Sequence, residues 1–248
     1  MKPLSIMAVL LTMAAPAFAQ DAAPQETPAA EQVQVSSIKD PELMPYKRMV
    51  RGLDAWDEKH ARLAPKADLR FELWTKAGTM AAAEGLQLRI AGNEVNIALP
   101  LDLEATFVLP RSQEALDDDA DLLLNRKKQE YRWRPRVRTP GVPENARRLG
   151  DLRMECEVSA AVRREEIPLL FRAGAVAVGG ICNLPMVGYL YRSPRRLQSA
   201  VVVSGERRSG LALQHNGNAY QAPLRDKSWD NDALVVYTYA EPDAPATP

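Results

Sequence analysis

Leu152-Arg153-Met154-Glu155-Cys156-Glu157-Val158, followed by Pro168-Leu169-Leu170-Phe171-Arg172-Ala173-Gly174-Ala175-Val176-Ala177-Val178 and Cys182, is the stretch on which the fold reading turns. Leu152, Met154, Cys156 and Val158 alternate with Arg153, Glu155 and Glu157. A period of two predicts a strand with one buried face. Pro168 suits the first position of a helix, and Gly179-Gly180 suits its end, so a helix is expected over 167–178. Cys156 and Cys182 are the only two cysteines, and they bracket strand, turn and helix.

The start of the chain gives the cysteines a context. Lys2, the apolar run Ile6 to Ala15 and Ala17-Phe18-Ala19 have the order of a secretory signal peptide, residues 1–19, cut after Ala19. The run is too short for a membrane anchor. A periplasmic or secreted location is therefore expected, with an oxidising environment in which Cys156 and Cys182 pair. On the chain-entropy argument, closing that loop contributes on the order of 3 kcal/mol. Two buried free thiols are the alternative. The cysteines, His60 and His215 lack zinc-like spacing, so no metal site is expected there.

Composition sets wide bounds. The 248 residues, 46% hydrophobic and 26% charged, suffice for one large domain or two small ones after processing. Zero formal net charge argues against bulk nucleic-acid binding. Outside the signal, Ile167–Pro185 is the least polar stretch; Arg172 and its glycines make it read as core and not as a membrane span.

Residues 20–40 are rich in Ala, Pro, Gln and Glu and read as a flexible leader. Tyr46, Met49, Val50, Leu53 and Trp56 share one face of a helix from about Pro45 to Arg62, with Gly52 as its weak spot. His60 reads as a surface or capping residue of that helix. Short alternating runs follow: Leu69 to Leu73, Leu86 to Ile90, Val95 to Leu99 after a Gly92-Asn93 turn, and Leu103 to Leu109. From Gly85 to Pro110 this rhythm of strands and prolines resembles the middle of a transthyretin- or carboxypeptidase-regulatory-like β-sandwich. The resemblance implies a fold and carries no site residues.

Asp117, Asp118, Asp119 and Asp121 form an acidic knot that begins like an EF-hand loop. Leu122 then stands where the turn glycine belongs and Lys128 where the bidentate Glu belongs, so a solvated turn or a partner for nearby arginines is the better reading. Asn125 to Lys128 reads as a hairpin turn. Beyond it Tyr131, Trp133, Pro135 and Val137 alternate with Arg132, Arg134, Arg136 and Arg138. On an extended chain those arginines share a face, about 6.6 Å apart. Such a row could hold phosphates or carboxylates, with Trp133 beside it, or it could guard the edge of a sheet against aggregation.

Thr139-Pro140-Gly141-Val142-Pro143 marks a boundary between a helix-plus-β module, 41–139, and a β-module, 140–240, that contains the helix at 167–178. Glu165-Glu166 suit the positive end of that helix. Strands are expected at Gln198 to Ser204, Leu211 to Leu213, Tyr220 to Leu224 and Ala233 to Ala240, with a His215-Asn216-Gly217-Asn218 turn and a disordered tail over 241–248.

No G-x-S-x-G elbow, P-loop or dinucleotide fingerprint is present, so no catalytic residue and no cofactor is assigned. The sequence thus predicts a mainly β protein: an antiparallel sandwich, one large or two small modules, with an N-terminal helix and one inserted helix. The function expected is that of an exported, soluble binding module of the bacterial cell envelope. Its partner would be an anionic envelope component or an acidic protein, with no nucleic acid and no transmembrane span. A structural accessory of the envelope, or a hydrolase of unrecognised class, are the alternatives.

Overall fold

A computed structural model describes residues 39–185 and 188–241. The segments read above as signal peptide and leader, up to residue 38, and the tail beyond 241 lie outside the described residues.

In chain order the elements are β1 Pro41–Pro45, α1 Tyr46–Leu63, β2 Asp68–Thr75, β3 Leu88–Ala91, β4 Asn96–Leu99, β5 Thr106–Phe107, α2 Gln113–Asp117, β6 Asp121–Lys127 and β7 Tyr131–Arg138. There follow β8 Ala146–Arg148, α3 Leu149–Val162, α4 Leu169–Ala177, β9 Leu190–Arg192, β10 Leu197–Ser204, β11 Arg207–Gly210, β12 Leu213–Gln214, β13 Ala219–Gln221 and β14 Leu234–Tyr239. Strand outweighs helix and every described ladder is antiparallel, which is the mainly β, sandwich-like class expected.

Sheets β1-β6-β3-β4 and β5-β2-β7 enclose one hydrophobic core, built from residues such as Phe71, Ile90, Phe107 and Leu122. Sheets β11-β10-β14-β8 and β12-β13-β9 enclose another, with Tyr191, Val202, Tyr220 and Val235. The Gly92-Asn93 turn joins β3 to β4 as expected, with Leu88 opposite Leu99. Asn125–Lys128 does not close a hairpin: β6 pairs with β1 and β3, whereas β7 pairs with β2.

The segment expected to be a strand at Leu152–Val158 is a helix instead. α3 is wedged between the two cores: Met154, Val158 and Val162 face the first, and Leu149, Leu152 and Cys156 face the second. A helix buried all round shows no single apolar stripe, so its sequence lost the 3.6-residue signal and left only the alternation. Its polar side chains are buried with partners. Asp151 accepts from Thr139 N and Oγ1, both at 2.8 Å. Arg153 donates to the carbonyls of Leu224, Asp226 and Trp229 and to Asn231. Glu155 accepts from Val137 N at 2.8 Å and is ion-paired with Arg147.

Cys156 and Cys182 form the expected disulfide, with Cα atoms 6.0 Å apart. It ties the turn after α4 to the buried α3. α4 itself departs from expectation. The stretch read as core buries only Ala175 of this helix, and Leu169, Leu170 and Val176 face solvent. Apolar composition measures the tendency to be covered, and no described element covers this face. Glu165 and Glu166 do not serve α4 either; they pair with Arg51 and Arg48 of α1.

Two glycines let α1 and α3 approach. A Cβ on Gly52 would stand 2.7 Å from Val162 Cγ2, so the residue read as a weak spot is a contact point. A Cβ on Gly150 would collide with the Leu63 carbonyl, which already accepts from Arg148 Nη1 at 2.7 Å. Gly150→Ala should therefore destabilise by about 1–3 kcal/mol despite the better helix propensity of alanine. The check is a lower urea midpoint at unchanged slope.

Candidate functional site

β7 ends its sheet and pairs with β2 along its length, Asp68 opposite Arg138 and Thr75 opposite Tyr131. Pleating sends its residues to two faces. Val137 is buried in the first core, with Tyr131 and Trp133 packed against it. Trp133 lies edge-on to Phe107 at 6.1 Å and its Nε1 donates to Glu42, so it sits away from the arginines.

The four arginines do share the other face, but they meet different surroundings. Arg132 is exposed and donates to its neighbour's carbonyl, Tyr131 O. Arg134 lies over the Trp74 ring, 5.5 Å from its centroid, and donates to Leu190 O at 3.0 Å. Arg136 is ion-paired with Glu104. Arg138 donates to Ala146 O at 2.8 Å. The row is thus not an open edge: its middle and end run under the second half of the molecule.

There Arg136 and Arg138 line a cleft of about 570 Å³ together with Arg147, Arg192 and Arg195. Three of these five cations have no carboxylate in contact among the described residues: Arg138, Arg192 and Arg195. Arg192 lies across Gly78, where a Cβ would come within 3.0 Å of its Cζ. Arg195 stacks over the Tyr239 ring at 4.2 Å. Burial, with Arg147 and Arg136 close by, lowers the Arg138 guanidinium below its ordinary range. Glu155 opposes this shift without cancelling it, and Glu144 also lines the cleft.

Tyr220, Tyr237 and Tyr239 line the floor. They end a ladder that begins at Tyr189 and Tyr191, with successive ring centroids 4.8, 5.5, 5.3 and 6.4 Å apart. Tyr220 and Tyr237 share a hydrogen bond between hydroxyls. Burial pushes the Tyr237 hydroxyl up to about 12 and Tyr220 well above its ordinary value, so both stay protonated near neutrality. Glu72, also at the cleft, is pushed up by burial and by the like charge of Glu155, against the opposing bond from Trp74 Nε1 at 2.6 Å.

The other sequence candidates are spent locally. Asp118 accepts from Glu94 N and Val95 N, Asp119 pairs with Lys47 at 2.8 Å, and Asp117 accepts from Gln113. The knot therefore serves backbone, a lysine and a glutamine, and not the arginines. His60 stacks on Trp56 with ring centroids 4.9 Å apart, and His215 is exposed in its turn. Among the described residues no group of three His, Cys, Asp or Glu is placed to hold a metal ion. No described helix is long and apolar enough to cross a membrane.

Of the residues that line the cleft, sequence spacing had singled out Arg136 and Arg138 and gave no sign of Arg147, Arg192, Arg195 or the tyrosines. These lie on β8, around β9 and on β13 and β14, and nothing local marks them as neighbours. The site belongs to a mainly β, disulfide-stapled protein with an arginine-lined, tyrosine-floored cleft. Comparison with known proteins adds no relative: no family model, curated protein or solved structure matches the chain.

Proposed function

We propose that this is an exported binding module of the cell envelope that holds an anionic ligand, bearing phosphate or carboxylate groups, in the cleft between β7 and the second half. The observation that carries this reading is the convergence of Arg138, Arg192 and Arg195 on one concavity without carboxylate partners. Guanidinium groups grip such oxyanions through paired N–H donors, and the tyrosine hydroxyls add neutral ones. Export is supported by the pattern of residues 1–19 and by the Cys156–Cys182 bridge.

Protein recovered from a periplasmic fraction should begin at Gln20. Titrated calorimetrically with inorganic pyrophosphate and with citrate at low salt, it should bind one equivalent, and added salt should weaken the binding. Replacing Arg138 and Arg195 together with Gln should weaken binding by about tenfold or more, because each lost charged bond is worth about 1.5–3 kcal/mol at a partly buried site. Arg132→Gln should bind like the parent. Equal binding by the double variant, or none by the parent, would reject the cleft as an anion site.

A further inference from the structure

α4 presents a surface that the cleft does not explain. Leu169, Leu170 and Val176 are 72%, 80% and 83% exposed, and Phe171 and Val178 are also open. The helix borders a groove of about 720 Å³ against α1 and α3. In that groove Lys59 is paired with Glu157, and Asp54 with Arg111. Arg62, Arg164 and Arg172 face it with no carboxylate partner among the described residues, and Glu58 is the one lining carboxylate left without a cation. The sequence from Ile167 to Gly205 contains no Asp or Glu and four arginines. α4 itself thus carries no acidic side chain, and among the charges of its groove that lack an ion-pair partner three arginines face the single carboxylate of Glu58.

We infer that α4 and its groove form a membrane-surface anchor for a bilayer rich in anionic phospholipid. The apolar face enters the interface between headgroups and acyl chains, and Arg164 and Arg172 meet headgroup phosphates. This is the pattern of a helix that lies in the plane of a bilayer, with apolar burial and attraction to anionic lipid adding together. A second copy of the chain fits the face less well. Nine residues make a helix about 14 Å long, a small part of the roughly 800 Å² per partner that a stable interface buries. Self-association through this face would also bring two Arg172 groups together. The disulfide holds the turn after α4 on the buried α3, so the apolar residues are presented from a fixed base.

The test is co-sedimentation of the mature chain with vesicles of phosphatidylglycerol and phosphatidylethanolamine in equal parts, and separately with phosphatidylcholine alone. The parent should pellet with the anionic vesicles and stay in solution with phosphatidylcholine. Leu169→Asp with Leu170→Asp should reduce the bound fraction by about tenfold or more. Val176→Asp, at the other end of the helix, should also reduce it. The Arg138→Gln, Arg195→Gln variant should pellet like the parent, which separates this surface from the cleft. Near-ultraviolet circular dichroism of each variant verifies the fold. The anchor is overturned if the parent stays in solution with anionic vesicles, or if the Asp variants pellet equally well. It is also overturned if sedimentation velocity shows a dimer that depends on Leu169 and Leu170 while vesicles are not bound.

Discussion

Glu155→Ala should destabilise the protein by about 3 kcal/mol, because it strands a largely buried cation at the wall of the cleft. Glu155 is 5% exposed, accepts from Val137 N and is ion-paired with Arg147. Without it, the Val137 N–H loses its carboxylate acceptor. Arg147 keeps only the Val137 carbonyl at 3.0 Å, and its Nε already has no partner. Burial pulls the Arg147 guanidinium down, and only the attraction and hydrogen bond of Glu155 together with Tyr220 and Tyr237 hold it above its ordinary range, so removing Glu155 leaves the charge behind without its main partner. Glu155→Leu combined with Arg147→Met should recover most of the loss, since an apolar pair removes both charges together. Glu72 supplies a second readout. Its raised carboxyl gives stability that is present below the ordinary carboxylate range and is lost as pH rises through the raised value. Removing the like charge of Glu155 lowers that value and narrows the window. Urea unfolding of the alanine variant within about 1 kcal/mol of the parent would refute this account.

Arg153→Met should cost about 3–4 kcal/mol and should loosen one particular segment. Arg153 is 7% exposed and reaches four acceptors between 2.7 and 3.0 Å, on Leu224, Asp226, Trp229 and Asn231. Methionine fills similar volume but leaves three carbonyls and an amide oxygen without their donor. Lysine would not substitute well, because its single ammonium cannot span acceptors that a planar fork reaches together. The 224–231 segment holds Trp229, which is 3% exposed and lies under Arg207 at 3.8 Å. Exposed Arg225 and Lys227 in the same segment are trypsin sites. Tryptic nicking there should rise while the rest of the chain stays protected. Unchanged nicking would show that the guanidinium is not what holds the segment.

Local signals were legible wherever one face met one core. The Tyr46-Met49-Leu53 spacing gave α1, the alternation about Phe71 gave β2, and the valines from Val201 to Val203 gave β10. α3 failed that rule because both its sides are apolar and its charges are answered inside, so alternation survived and helical period did not. α4 failed in the opposite sense: an apolar run was read as core, yet its covering is absent among the described residues. The disulfide was readable because pairing two lone cysteines needs only a compartment and a distance. The cleft was half readable. Arg136 and Arg138 announce a charged face, but Arg147, Arg192, Arg195 and Tyr239 reach it through strand pairings that no spacing encodes.

The wedged helix has a consequence for the order of assembly. Its carboxylates are answered by Val137, Thr139 and Arg147, its arginine by residues 224–231, and its apolar sides by both cores. No leading fragment of the chain can satisfy it. Until the final strand arrives, α3 must either leave ions buried without answers or remain unbuilt. Contacts of such long sequence separation close late. A polypeptide arranged this way stays slack as it emerges end first, and sets only when residues 224–239 are free to close over it.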